Sequence, residues 1–150
     1  MIQRVPSGHR QTDWQGSCRF NRVVSSQADQ LSLRVRHFTV RLLRFVQTLV
    51  REPATDAIVR QVARSGPSVW ANYRSSRRAR SRAEFVARLG IVADEAEETE
   101  GWLEMLKETG LVDKPELDWL FDESRELRAI FVQSFTTARA NHRARRSSHP

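Results

Sequence analysis

The sequence predicts an all-α fold, an up-down-up-down bundle of four helices. Three observations carry that expectation. From Leu31 onward apolar residues recur at alternating steps of four and three, the spacing of one helix face. Proline, glycine and S-x-x-E punctuation cuts this rhythm into four segments. No stretch alternates with period two over a useful length, so no strand reading competes. The 150 residues suffice for one hydrophobic core, and 39% hydrophobic with 29% charged residues is the balance of a folded chain.

The first helix carries Leu31, Val35, Phe38, Leu42, Phe45 and Leu49 on its stripe, with Val40, Leu43, Val46 and Val50 lying off it and free to pack between subunits. Pro53 ends it, and Thr55 is the expected N-cap of the next. The second helix shows Ile58, Val62, Ser65, Val69 and Asn72, a thin face of small and polar members, and Gly66-Pro67 inside it predicts a kink near Ala63. Ser81 and Glu84 form the capping box of the third helix. Its stripe, Phe85, Leu89, Val92, Ala96, Thr99, Leu103 and Leu106, is the strongest periodic signal in the chain. Gly110 suits a left-handed helix end with Leu111 closing the contact. Asp113 and Glu116 repeat the capping pattern before Leu117, Leu120, Ser124, Leu127, Phe131, Ser134 and Ala138. Residues 1–30 lack periodicity and read as a disordered extension, residues 31–140 as the bundle, and residues 141–150 as a disordered basic tail.

Charge is unevenly distributed along the chain. Residues 30–92 hold thirteen arginines against three acids, whereas residues 93–126 hold thirteen acids against three basic groups. Only Lys107 and Lys114 are lysines, and arginine is the better partner for carboxylate, phosphate and aromatic faces. The longest apolar run, Ala129 to Val132, is far short of the roughly 20 residues that span a bilayer, and no apolar block follows the N-terminal basic residues. The reading is therefore a cytoplasmic protein without membrane contact.

The stretch from Arg64 to Leu106 contains S-V-x-A-N-Y-R, R-A-R-S-x-A-E-F, L-G-I-V-x-x-E-A and W-L-E. It closely resembles the four helix bundle protein family, also known as the intervening-sequence proteins because some members are encoded within insertions in bacterial 23S ribosomal RNA genes. The resemblance implies a four-helix bundle assembled as a homopentamer. It extends to the accessory protein of diversity-generating retroelements, a basic nucleic-acid binder that partners a reverse transcriptase, so RNA or DNA and a reverse transcriptase or other protein are the partners it implies. Trp70 stands where the family usually has a small residue, and Pro67 where the helix is normally continuous.

No catalytic constellation is legible, and neither cofactor nor metal is expected. His9, His37, His142 and His149 have no partner at ligand spacing, a single cysteine, Cys18, makes no thiolate site, and the acidic run from Asp94 to Glu104 lacks the Glu-x-x-His pairs of carboxylate-bridged metal bundles. Gly90 and Gly101 read as close helix contacts. Asn72, Glu84, Phe85 and Glu95 read as structural members of the motif, with Asn72 fixing helix register and Glu95 and Glu98 pairing with Arg64 or Arg74. The sharpest functional candidate is Trp70, Tyr73, Arg74 and Arg77, at i, i+3, i+4 and i+7, continued by Arg78, Arg80 and Arg82. Aromatics among guanidinium groups stack bases while the charges neutralise phosphates. The alternative is a subunit interface in which these arginines meet the acidic third helix of a neighbour.

Overall fold

The computed structural model describes residues 26–147 and contains four helices: α1 Gln27–Gln47, α2 Pro53–Ser76, α3 Arg82–Glu108 and α4 Pro115–Ser147. No strand occurs among the described residues. Each helix lies against its neighbours in chain order and α4 closes on α1, while the diagonal pairs α1 with α3 and α2 with α4 keep their backbones apart. This is the predicted bundle. The α1 start and the α4 end share one end of the molecule with the α2–α3 loop, and the other two connections form the opposite end, where Lys114 Nζ donates to Thr48 O at 2.9 Å.

Each stripe points inward. Val35, Phe38, Leu42, Phe45 and Leu49 of the first segment, Leu89, Val92, Ala96, Leu103 and Leu106 of α3, and Leu117, Leu120, Leu127 and Phe131 of α4 form one core. The α2–α3 pair is the closest-fitting one, and the small residues of α2 explain it. A Cβ at Gly66 would overlap Leu42 Cδ2, so any larger residue there requires the fully buried Leu42 to shift. Beside it the buried Ser65 and Thr99 hydroxyls meet at 2.9 Å, each also within reach of a carbonyl of its own helix, so neither burial leaves a polar atom unpaired. Helix α2 runs unbroken across Pro67, because Gly66 offers no Cβ to the proline ring.

Several boundaries differ from the expectation. Helix α1 starts four residues before Leu31, capped by Ser26, whose hydroxyl accepts from Asp29 N while the Asp29 carboxylate accepts from Ser26 N. The rest of the expected N-terminal extension lies outside the described residues. Pro53 opens α2 with Glu52 at the cap position, and Thr55 is buried inside the helix. At the end of α3, Gly110 does adopt φ 63°, but Leu111 is exposed and Val112 packs on the core instead. Glu116 turns to Arg41 rather than back to Asp113. Helix α4 continues through residues 141–147, which were expected to be an unstructured tail; alanine and arginine are strong helix formers and cations suit a helix C-terminus.

Arginine–carboxylate pairs close the seam between α1 and α4, where backbone contact is thinnest. Arg34 forks onto Glu123 at 2.6 and 2.8 Å and reaches Glu126 at 2.9 Å. Arg41 forks onto Glu116 at 2.8 and 2.7 Å while its guanidinium lies 3.5 Å from the Trp119 ring centre. Across the molecule Arg64 pairs with Glu98 and Arg128 with Glu100. The Arg41 and Arg64 guanidinium groups hold the Glu116 and Glu98 carboxyls below the ordinary value of 4.5. A carboxylate depressed in the folded state stabilises above its ordinary pKa, and that contribution fades as pH falls through the folded value. Resistance to urea should thus hold level from neutrality to about pH 5 and decline below about 4.5. The Glu98→Gln/Glu116→Gln double variant should show a shallower decline, read from urea midpoints at each pH.

Candidate nucleic-acid interface

The α2–α3 loop presents the arginine stretch. Ser81 caps α3 by accepting from Glu84 N at 3.1 Å, and the Glu84 carboxylate accepts from Arg80 N at 2.9 Å, one residue before the cap itself. Arg88 grips Glu84 at 2.9 Å and Ser75 Oγ at 2.5 Å, tying the loop to both flanking helices. The Arg80 amide, with Arg88 behind it, holds the Glu84 carboxyl below its ordinary value, so this brace stays charged at neutral pH. Only the Ser81 half of the expected capping box forms; Glu84 closes onto the Arg80 amide in place of the Ser81 amide, and so ties down the backbone from which Arg78, Arg80 and Arg82 project. Among the described residues these three form no ion pair.

Arg74, Arg77 and Arg78 converge with Ser32 of α1 on an open cleft of about 290 Å³. Beside it the Asp29 carboxylate pairs with Arg77. That guanidinium, with the Ser26 hydroxyl, holds Asp29 below its ordinary pKa. Asp29 therefore occupies one of three guanidinium groups, leaving the cleft cationic. The Arg74 guanidinium sits 4.9 Å from the centre of the Trp70 ring, within cation–π range. Trp70 itself is half-buried against the core, which answers the family departure at this position.

Tyr73 does not belong to this surface. It is 7% exposed, its ring lies 5.1 Å from that of Phe131 and its hydroxyl donates to Ala28 O at 3.3 Å. Burial raises its pKa. Steps of three and four from Val69 reach Asn72 and Tyr73 equally, and the larger apolar group takes the inward position. Asn72 is correspondingly half-buried at the side and its amide donates to Ser68 O and Oγ of its own helix, both at 3.0 Å, not across to another helix. Glu95 faces Arg64 at 3.9 Å, and Arg64, not Arg74, is the shared partner of Glu95 and Glu98. The second carboxylate oxygen of Glu95 is buried without a hydrogen-bond partner among the described residues.

Phe85 is half-buried at the start of α3 and contributes, with Arg82, to a second cleft against the last turns of α4. Gly90 is the expected close contact, since a Cβ there would be 3.1 Å from Phe135 Cε2; Gly101 is not, having open space around it. The part of this end that sequence reasoning missed is α4, whose final turns bring Arg139, Arg143, Arg145 and Arg146 to the same end as the loop. The helix-forming composition of ARANHRARR was the available signal. His9, Cys18 and His149 lie outside the described residues. Among those described, no group of three metal-ligating side chains converges, and no helix is long and apolar enough to cross a membrane.

Comparison with known proteins agrees with this architecture. No curated protein matches the chain. A crystal structure of a protein of unknown function from the S23 ribosomal protein family of Bacteroides thetaiotaomicron VPI-5482 superposes with a TM-score of 0.65 at 30% sequence identity, over 73% of this chain and 97% of that one. The sequence model of the 23S rRNA-intervening sequence protein family matches residues 30–133, which span all of α2 and α3 and most of α1 and α4. The motif resemblance, the four-helix architecture and these matches converge, and the chain belongs to the family of 23S rRNA-intervening sequence proteins.

Proposed function

We propose that this protein is a non-enzymatic, self-associating bundle that binds nucleic acid, RNA in preference to DNA, through the arginine loop at the α2–α3 end. The observation that carries the reading is the convergence of Arg74, Arg77 and Arg78 with the Ser32 hydroxyl on one cleft, with Arg80 and Arg82 beyond it unpaired by any described carboxylate. Guanidinium groups grouped this way match phosphate oxygens in charge and geometry. Self-association, as a pentamer by family resemblance, is supported by apolar side chains left outside the core, Leu33 at 62%, Val50 at 76%, and Ile91 and Met105 each at 45% exposure.

Binding of single-stranded RNA should weaken by roughly one to two orders of magnitude for a fourfold rise in salt if four or five phosphates are contacted, each adding about −0.7 to the slope. The Arg77→Ala/Arg78→Ala/Arg80→Ala variant should flatten that slope by about two. Affinity is read by fluorescence anisotropy and assembly by light scattering on the same samples. Unchanged affinity in an intact triple variant would remove the loop as the site.

A second reading, a purely structural homo-oligomer, is favoured by one observation. Asp94, Glu97, Glu104 and Glu108 remain exposed on the outward face of α3, where arginines of another copy would find them. In that case the triple variant dissociates, and the wild type binds neither RNA nor DNA even at low salt. A stable monomer would exclude both forms of self-association.

A further inference from the structure

We propose that the cleft between the first turn of α3 and the last turns of α4 receives a single unpaired nucleobase. This inference rests on the reading of the arginine loop as a phosphate site and assigns the neighbouring cleft its own ligand. The cleft is open to solvent on one side and measures about 400 Å³, within the ~300–1,000 Å³ of small-molecule sites. Phe85, Val86 and Ala138 supply apolar lining, Gln133 and Asn141 line it with carboxamide side chains beside Ser134 and Thr137, and Arg82 lines it from the first turn of α3. Among the described residues no acidic side chain lines it.

A nucleobase has this same division. Its faces are apolar and polarisable, and its edge alternates donors and acceptors within one plane. Each carboxamide offers both a donor and an acceptor, the pairing by which asparagine and glutamine read a base edge. In the free chain the Gln133 amide has only a long contact, 3.3 Å, to the Thr137 hydroxyl, so an incoming edge displaces little. An aliphatic side chain from a partner would leave these amides unsatisfied on burial, which disfavours it as the occupant. Bases in a duplex are stacked and cannot enter, so the slot selects single strands. Arg82 joins it to the arginine loop. A strand whose phosphates lie along Arg78 and Arg80 thereby has its next base at the slot, and α4 continues past Asn141 for six more residues, about 9 Å of cationic helix beside it.

The test uses the full chain and two probes, adenosine monophosphate and ribose 5-phosphate, which differ by the base. Saturation-transfer NMR should show transfer to the base protons of adenosine monophosphate, whereas ribose 5-phosphate, held through its phosphate at the arginine loop alone, should show transfer only to its sugar protons. Thr137→Leu fills the slot at an exposed helical position and should abolish transfer to the base protons with its thermal unfolding midpoint retained. The same variant should lower the preference for single-stranded over double-stranded RNA by about five- to tenfold, the scale of one lost stacking contact, with the salt slope unchanged. Absence of base-proton transfer in the wild type, equal base-proton transfer in Thr137→Leu, or a change of oligomer size in that variant would each overturn the slot. Failure of the arginine reading looks different: the triple arginine variant would keep its RNA affinity while transfer to the base protons persists.

Discussion

Phe131→Ala should cost about 3–5 kcal/mol, the range for deleting a buried aromatic ring from a close-packed core. Phe131 is fully buried on α4 and its ring meets Tyr73 of α2 across the bundle, the one ring contact bridging this diagonal among the described residues. The backbones of α2 and α4 do not approach, so side chains alone fill the space between them and the missing ring leaves a cavity that relaxation fills only in part. Urea unfolding monitored by circular dichroism gives the number. Tyr73→Phe separates the ring from the hydroxyl: it keeps the packing and loses only the bond to Ala28 O, worth about 1 kcal/mol. A loss under 1 kcal/mol for Phe131→Ala would mean that the centre is not packed as described.

Gly66→Val should destabilise by about 1–3 kcal/mol through overpacking, despite removing a glycine from a helix interior. The new side chain enters space occupied by Leu42, which is fully buried and has no free direction to move. The contact also predicts coupling. Leu42→Ala alone should cost about 2–5 kcal/mol, and less when Gly66→Ala is already present, because the alanine methyl then occupies part of the cavity. A double-mutant cycle with no interaction energy would show that the two helices are not in contact at this point.

The stripes of α1, α3 and α4 were legible because each is a long run of apolar groups whose only sensible common direction is the core. Leu103 and Leu106, Leu117 and Leu120 were placed by spacing alone. Where the run was short the spacing did not decide. At the end of α2 spacing fits Asn72 and Tyr73 alike; the larger ring takes the core, and its hydroxyl finds an acceptor, Ala28 O, in the first turn of α1, which begins before the expected start at Leu31. The two misses are one: recognising Ser26 and Asp29 as a capping pair would have extended α1 and supplied the acceptor. Arg74, Arg77 and Arg78 were legible as a group, but their convergence on Ser32 and the competition from Asp29 are tertiary facts that no spacing contains. Residues 141–147 were missed because a helix without an apolar stripe carries no periodic signal, only propensity.

The two lysines have a consequence of their own. Lys107, paired with Asp118 at 2.5 Å, and Lys114 both lie at the end of the bundle opposite the arginine loop. Acylation of lysine amines removes a positive charge, and guanidinium groups are not touched by it. Acetylation of either lysine would therefore leave the charge of the arginine loop as it was and alter only the far end. The same separation makes the lysines handles: a dye or a surface linked through them leaves the loop and both clefts facing solvent.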